Sequence, residues 1–339
     1  MLDINFIKEN KEQVQAAITN KKVKMKVNLD EVLKLDETRR KNVGEIEEIR
    51  RQKNLLNDKV KNAKEQAERE GYITESRELS EKEKKLNETF NHLDQELTEL
   101  MLQIPNVTSP KMPIGKDDSD NVVARKWGEP TKFDFEPLDH VELGKRLDLI
   151  EIDKAGEISG ARFYYLKNEA VLMQFGIVQM VFEGLSNPEL LERIAKQTGN
   201  PYTKAFSPIV PPVMMKPEIM KKMDRLDPIE ERYELKNDDL ILVGSAEHTL
   251  GPLHMNETIK KEDLPIRYIG YSSAFRREAG SYGKDTRGIL RTHQFDKLEI
   301  ESYVPAEYGE VEQEFIVAFQ EYFLQQLEIP YQVIQLSLI

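Results

Sequence analysis

The sequence predicts an α+β protein: a long antiparallel coiled-coil hairpin, followed by a mostly antiparallel sheet flanked by helices. Two observations predict this class. Two apolar seams of heptad spacing run between residues 30 and 104, and beyond a connector rich in Pro and Asp the chain mixes short strand-like runs with helical patterns. A third observation points to function. The stretch "FRREAGSYGKDTRGILRTHQF", residues 275–295, gathers five basic residues around three glycines in a chain of formal net charge −12.

The first seam passes through positions 32, 35, 39, 42, 46, 49, 53, 56, 60, 63 and 67. It holds Val, Leu, Arg, Asn, Ile, Ile, Lys, Leu, Val, Ala and Ala. Alternating steps of three and four keep these residues on one helix face, with polar interruptions. The second seam passes through Leu79, Glu83, Leu86, Phe90, Leu93, Leu97, Leu100 and Ile104. Between them, "EREGYITES" places a helix stop at Gly71, and Pro105 ends the second helix. Two arms of about 38 residues at about 1.5 Å each give a hairpin on the order of 55–60 Å long.

"NVTSPKMPIGKDDSDN", residues 106–121, reads as a linker. The expected division is a helical arm over 1–110, a linker over 111–121 and a second domain over 122–339. Charge follows the same division. Residues 1–110 hold 21 Lys+Arg against 22 Asp+Glu, and the remainder holds 28 against 39. In the second domain, helical patterns fall at 141–149, 169–185 and 306–328. Strand-like runs fall at 240–244, 266–275, 288–300 and 331–337.

Composition narrows the function classes. With no cysteine there is no disulfide framework and no thiolate metal site. No run approaches the ~18 apolar residues of a membrane span, and the N-terminus has no signal-peptide core. The expected compartment is the cytoplasm, with neither membrane nor DNA as a partner. Five scattered histidines make a poor metal set, and His248 and His254, six apart, lack zinc spacing. The methionine run at 213–223 reads as packing.

The two-residue strand period puts Tyr268, Ser272, Arg276 and Glu278 on one face before the glycine loop. It puts Arg291, His293, Phe295, Lys297 and Glu299 on one face after it. The loop glycines Gly280, Gly283 and Gly288 admit backbone shapes closed to other residues. Arginine grips phosphate or carboxylate through a planar fork, and a neighbouring phenylalanine offers a stacking face for a purine. Glu247 or Glu299 suits an ammonium group or a magnesium ion. Arginines aimed at a phosphate are what electrostatic catalysis of phosphoryl or nucleotidyl transfer needs. Neither GxxxxGK[ST] nor a GxGxxG following a strand is present.

"AFRREAGSYGKDTRGILRTHQFDKLE", residues 274–299, closely resembles motif 2 of class II aminoacyl-tRNA synthetases, in the form carried by seryl-tRNA synthetases. "VGSAEHTLGPLH" (243–254) resembles that family's Thr-Ala-Glu motif, and "FSPIVPP" (206–212) its motif 1, closing at Pro212. "GARFYYLKNEAVL" (160–172) matches in position and character, so the resemblance covers the whole chain. It implies a class II catalytic domain that activates serine with ATP and magnesium and transfers it to tRNA(Ser), and a homodimer is expected from the same resemblance. By motif, Arg276 resembles the arginine holding the ATP α-phosphate and the serine carboxylate. Glu278 resembles the acid on the adenine and ribose side, Arg291 a second phosphate contact, and Phe295 the ring that stacks on adenine. Ser245 stands where the family usually has threonine. With Glu247 and Glu299 it would receive the amino and hydroxyl groups of serine. Lys21, Lys22, Lys24 and Lys26 at the arm's base would contact tRNA.

The family's chain continues beyond the counterpart of Ile339. The segment with a magnesium-binding glutamate, a serine-binding loop and the motif 3 arginine is therefore expected outside these 339 residues, and no metal ligand is expected within them. The alternative is a catalytically incomplete synthetase fragment that binds tRNA or another partner. A paralogue loading a different acceptor ranks behind, because such paralogues lack the long arm.

Overall fold

Two long helices dominate the N-terminal part. Helices α1 (Ile4–Glu9) and α2 (Lys11–Asn20) precede α3 (Leu29–Asn62) and α4 (Gln66–Leu102). The computed structural model describes residues 2–23, 27–278 and 287–337. The chain divides into two units, residues 1–125 with 332–339 and residues 126–331.

Asp3 caps α1 and Asn28 caps α3, each side chain accepting from a backbone N–H of the first turn. Val32, Asn42, Ile46, Ile49 and Leu56 of the first seam are buried, as is Leu97 of the second. The polar interruptions pair between helices: Arg39 with Asp94 at 3.0 Å, and Arg50 and Lys53 with Glu83 at 2.8 Å each. At the arm's base Ile7, Val14, Leu29, Val32, Leu97, Met101 and Ile104 form one apolar cluster.

The turn of the hairpin is not at Gly71. The chain leaves the helix at residues 63–65, with Ala63 and Glu65 extended, and Gly71 lies inside α4. A helical glycine costs only about 1 kcal/mol, and α4 gains pairing with α3 over those turns, including Lys59 above the Tyr72 ring at 5.5 Å.

Strand β1 (Val122–Trp127) follows the connector. The second unit continues with α5 (His140–Arg146), β2 (Ile150–Glu151), α6 (Asp153–Ser159), β3 (Tyr165–Leu166), α7 (Glu169–Ser186) and α8 (Pro188–Thr198). Next come β4 (Ser207–Ile209), β5 (Met214–Met215), α9 (Pro217–Lys222), β6 (Glu234–Leu235), β7 (Leu240–Leu242) and α10 (Glu247–Leu250). The chain then forms β8 (Ile266–Phe275), β9 (Gln294–Tyr303), α11 (Gly309–Gln326) and β10 (Tyr331–Gln335). Strands β1 and β10 pair, as do β2 and β3, and a three-stranded sheet has the order β5-β7-β6.

The sheet that positions the site has the order β4-β8-β9. β4 runs parallel to β8, and β9 antiparallel to it. The parallel pair fits within the mostly antiparallel pattern expected, and it is parallel because β4 reaches β8 through a long excursion rather than a hairpin. One sheet face packs on α8 and α11 through Leu191, Ile194, Phe206, Ile269, Phe315 and Phe319. Arg267 is sealed into that layer, its guanidinium against the rings of Phe206 and Phe315 and paired with Glu312 at 2.6 Å. The methionine run supplies packing: Met215 and Met220 are buried with Ile241 and Val243.

The expected second strand, 288–300, begins only at Gln294. Residues 276–278 and 287–293 are irregular, since Glu278 (φ 52°) and Gly288 (φ 85°) turn the backbone out of the extended region. A side chain at 288 would collide with His140. Arg276, Glu278, Arg291 and His293 therefore flank the strands rather than lie on them. The two segments are still linked, Arg276 N–H donating to the His293 carbonyl at 3.0 Å and the His293 ring meeting the Arg276 carbonyl at 3.0 Å.

Candidate functional site

The register of β8 and β9 opposes Ala274 to Phe295, Ser272 to Lys297, Gly270 to Glu299 and Tyr268 to Glu301. Directly opposed residues share a face, so Phe295, Lys297, Glu299 and Glu301 line the side of the sheet away from the Arg267 layer. Helix α10 lies over this side. It comes close because Gly270 has no side chain: a Cβ there would fall 2.3 Å from Leu250 Cδ1. Tyr303 donates to the Leu250 carbonyl at 2.9 Å and fixes the helix end.

Bringing α10 down places Ser245 and Glu247 beside β9. The Ser245 hydroxyl is buried and donates to Glu299 Oε1 at 2.5 Å. Lys297 Nζ donates to Ser245 Oγ at 3.3 Å and also pairs with Glu299. The Glu247 N–H donates to the same hydroxyl at 3.3 Å. The Glu247 carboxylate takes Arg225 Nη2 at 3.0 Å and Nε at 3.3 Å on one oxygen.

Arg276 reaches the same side from beyond the end of β8. Its Nε donates to the Gly244 carbonyl at 3.0 Å, and its guanidinium lies 5.1 Å from the Phe295 ring centre. Glu278 and Arg291 pair at 3.1 Å, and Arg162 donates to the Glu278 carbonyl at 3.1 Å. Arg232 lies nearby, and burial, together with the Arg276 charge, lowers its pKa. The Gly244 N–H donates to His248 Nδ1 at 3.2 Å, leaving the ring neutral with its proton on Nε2. Burial, then the Arg232 charge, hold the His248 pKa down at about 4. Glu301 moves the other way, raised to about 7 by burial and by Glu247 and Glu299.

Chemically, one end of this face is cationic and aromatic, the other carboxylate-rich. The first suits phosphates and a planar base; the second suits an ammonium group. Among the described residues no group of three or more His, Asp or Glu is arranged to hold a metal ion.

The structure brings together Ser245, Glu247, Arg276, Phe295 and Glu299, and sets Glu278 and Arg291 beside them as a pair. Lys22, at the arm's base, donates to the Gly115 carbonyl at 3.3 Å, and Lys21 ends α2. Lys24 and Lys26, with the loop glycines Gly280 and Gly283, lie outside the described residues. Sequence reasoning missed Arg225, Arg232, His248 and Glu301. The first two come from an irregular segment with no periodicity to flag them. His248 was weighed only as a metal ligand, and Glu301 continues the period of Glu299 by one further step.

This sheet and its arginines are those of a class II aminoacyl-tRNA synthetase. Residues 231–338 match the family model of the tRNA synthetase class II core domain (G, H, P, S and T). Residues 1–108 match the seryl-tRNA synthetase N-terminal domain. The serine--tRNA ligase of Dictyoglomus turgidum is 36% identical over 340 residues, covering 99% of this chain and 76% of the relative. That of Corynebacterium glutamicum is 37% identical over 339 residues, covering 99% and 75%. The crystal structure of seryl-tRNA synthetase from Pyrococcus horikoshii complexed with ATP superposes with a TM-score of 0.77 at 31% identity, over 100% of this chain and 77% of that one. The cytoplasmic enzyme of Naegleria fowleri in complex with AMP gives 0.73 at 26% identity, over 100% and 75%. The chain belongs to the serine--tRNA ligase family.

Proposed function

We propose that the protein activates serine with ATP and transfers it to tRNA(Ser). The observation that carries this reading is the single face on which Arg276 and Phe295 stand beside Ser245, Glu247 and Glu299. In the first step a serine carboxylate oxygen forms a bond to the α-phosphorus, the bond to the β-phosphate bridge breaks, and pyrophosphate leaves. In the second, a 3′-terminal hydroxyl of the tRNA takes the seryl group and AMP leaves. Arg276 neutralises the α-phosphate and the serine carboxylate, Phe295 stacks on adenine, and Glu278 with Arg291 frames the nucleotide. Ser245, Glu247 and Glu299 receive the amino and hydroxyl groups. No side chain acts as nucleophile; position and charge supply the catalysis.

ATP as the nucleotide is supported by the ATP complex of the Pyrococcus relative. Magnesium is the family's expected ion, but the described residues build no cage for it, and Glu247 and Glu299 are already engaged by Arg225, Ser245 and Lys297.

The arm, with Lys21 and Lys22 at its base, is the proposed tRNA contact. A homodimer is supported by α7, which exposes Leu172, Met173 and Phe175 in one stretch. The cytoplasm is the proposed compartment; among the described residues no helix is long and apolar enough to cross a membrane.

Serine-dependent ATP–pyrophosphate exchange tests the activity, run on these 339 residues, which span about three quarters of the relatives' length, and on a chain extended to the relatives' full length. Exchange in either supports the reading. Exchange in neither, with tRNA binding retained, favours a binding protein built on a synthetase scaffold.

A further inference from the structure

The Ser245 hydroxyl has no bonding capacity left. A serine hydroxyl has one proton to give and two lone pairs. Its proton goes to Glu299, and its acceptor positions take the Glu247 N–H and the Lys297 ammonium. Lys297 also sits on Glu299. Two of the three groups assigned above to the substrate, Ser245 and Glu299, are thus already serving an amine, the protein's own.

We propose that Lys297 is a built-in placeholder for the substrate ammonium, occupying the amine subsite between Ser245 and Glu299 until serine displaces it, and so setting the affinity for serine. This inference rests on the functional reading above. A lysine ammonium and an amino acid's α-ammonium carry the same charge and the same three donors. Two such cations cannot share one hydroxyl and one carboxylate without repulsion, so binding of one requires withdrawal of the other. Lys297 can withdraw. Its side chain is 34% exposed and rides on a flexible four-carbon stem, which gives it a route to water. Arg225 differs, since the hydrogen bonds its guanidinium donates go to Glu247 and to the Asp224 carbonyl, not to Ser245 or Glu299.

The placeholder has two effects. It holds the Glu299 carboxylate in place against the Ser245 hydroxyl before serine arrives. It also makes every bound amine compete with an internal cation, so a ligand must offer further contacts to win. Lys297 is in this sense a positioning residue that selects for the complete substrate.

The test compares Lys297→Met and Lys297→Arg with the wild-type protein. Serine and ATP are varied separately in pyrophosphate exchange, and serine binding is measured by calorimetry. Lys297→Met should lower the serine KM about five-fold or more, leaving the ATP KM and kcat within about two-fold, because a competing cation is gone. Lys297→Arg, which keeps the charge, should stay close to wild type. A serine KM that is unchanged or raised in Lys297→Met overturns the inference. Lys297→Gln, checked for an unaltered melting midpoint, gives the same decision by calorimetry if the Met variant does not fold. A wild-type protein silent in both assays overturns the functional reading and the placeholder with it. A wild-type protein that binds serine, with variants that bind it no more tightly, overturns the placeholder alone.

Discussion

Arg267 and Glu312 form a two-pronged ion pair, Nε to Oε1 at 2.7 Å and Nη2 to Oε2 at 2.6 Å, with both side chains almost wholly buried. Ser302 and Asn200 donate to the same carboxylate, and the Lys204 carbonyl accepts from the guanidinium. Burial opposes ionisation of Glu312, but the bonds from Arg267 and Ser302 outweigh it and hold its pKa below the usual range. Glu312→Ala leaves a buried guanidinium without its partner. It should cost about 3–5 kcal/mol, measured as a lowered urea midpoint, while Glu312→Gln, which keeps part of the bonding, costs less.

Arg276 tests the catalytic reading. Arg276→Ala should lower serine-dependent exchange about 100-fold or more, the range seen when one preorganised donor is lost from a transition state. Its circular dichroism should match the wild type, since the backbone bond to His293 survives the substitution and the guanidinium's contacts with the Gly244 carbonyl and the Phe295 ring lie at the end of the sheet. Retained exchange would remove Arg276 from the α-phosphate.

Helix α7 tests the assembly. Phe175→Glu places a charge among exposed Leu172, Met173 and Ile177. If a second copy covers that stretch, sedimentation should shift from dimer to monomer. A wild-type monomer would reassign the patch.

Two groups at the site titrate in opposite senses. The folded pKa of His248 lies at about 4, below the ordinary 6.5. Its contribution is complete above about pH 6.5 and is lost as pH falls toward 4, by up to ~3 kcal/mol. His248→Gln should flatten that part of the stability–pH curve. Glu301, raised from 4.5 to about 7, contributes most below pH 4.5 and loses that contribution as pH rises through 7. Glu301→Gln should therefore raise the melting midpoint at pH 8 and leave it nearly unchanged at pH 4.

Gly71 sits in α4 with open space where a Cβ would go. Gly71→Ala should stabilise the arm by about 0.5–1 kcal/mol through lower chain entropy and better helix propensity, read by thermal melting of the helical signal.

The same glycine shows where the sequence was misleading. Heptad spacing located both helices and their facing residues, because burial on one face imposes a period that survives polar interruptions such as Arg39 and Lys53. A glycine between two seams, however, reads as a stop, and only pairing with the opposite helix overrides that. At the site, the two-residue period joined Phe295, Lys297 and Glu299 correctly. It failed for Arg291 and His293, where positive φ angles at Glu278 and Gly288 break the strands. Motif resemblance brought Ser245 and Glu247 to the same place. Arg225 and Arg232 stayed invisible, since a guanidinium delivered by an irregular segment leaves no periodic trace, and only the folded chain shows which carbonyl or carboxylate it meets.

Gly270 carries no chemistry, yet it sets the depth of the pocket. The missing methyl lets Leu250 settle against β8, and that descent brings the Ser245 hydroxyl within reach of Glu299. The distance between a hydroxyl and a carboxylate on two different elements is thus gauged by a residue with no side chain, the cross-strand partner of Glu299. Changes at this position would be felt in the handling of serine long before they were felt in the sheet, so a mutational map of the enzyme would show a sensitive spot with no functional group in it.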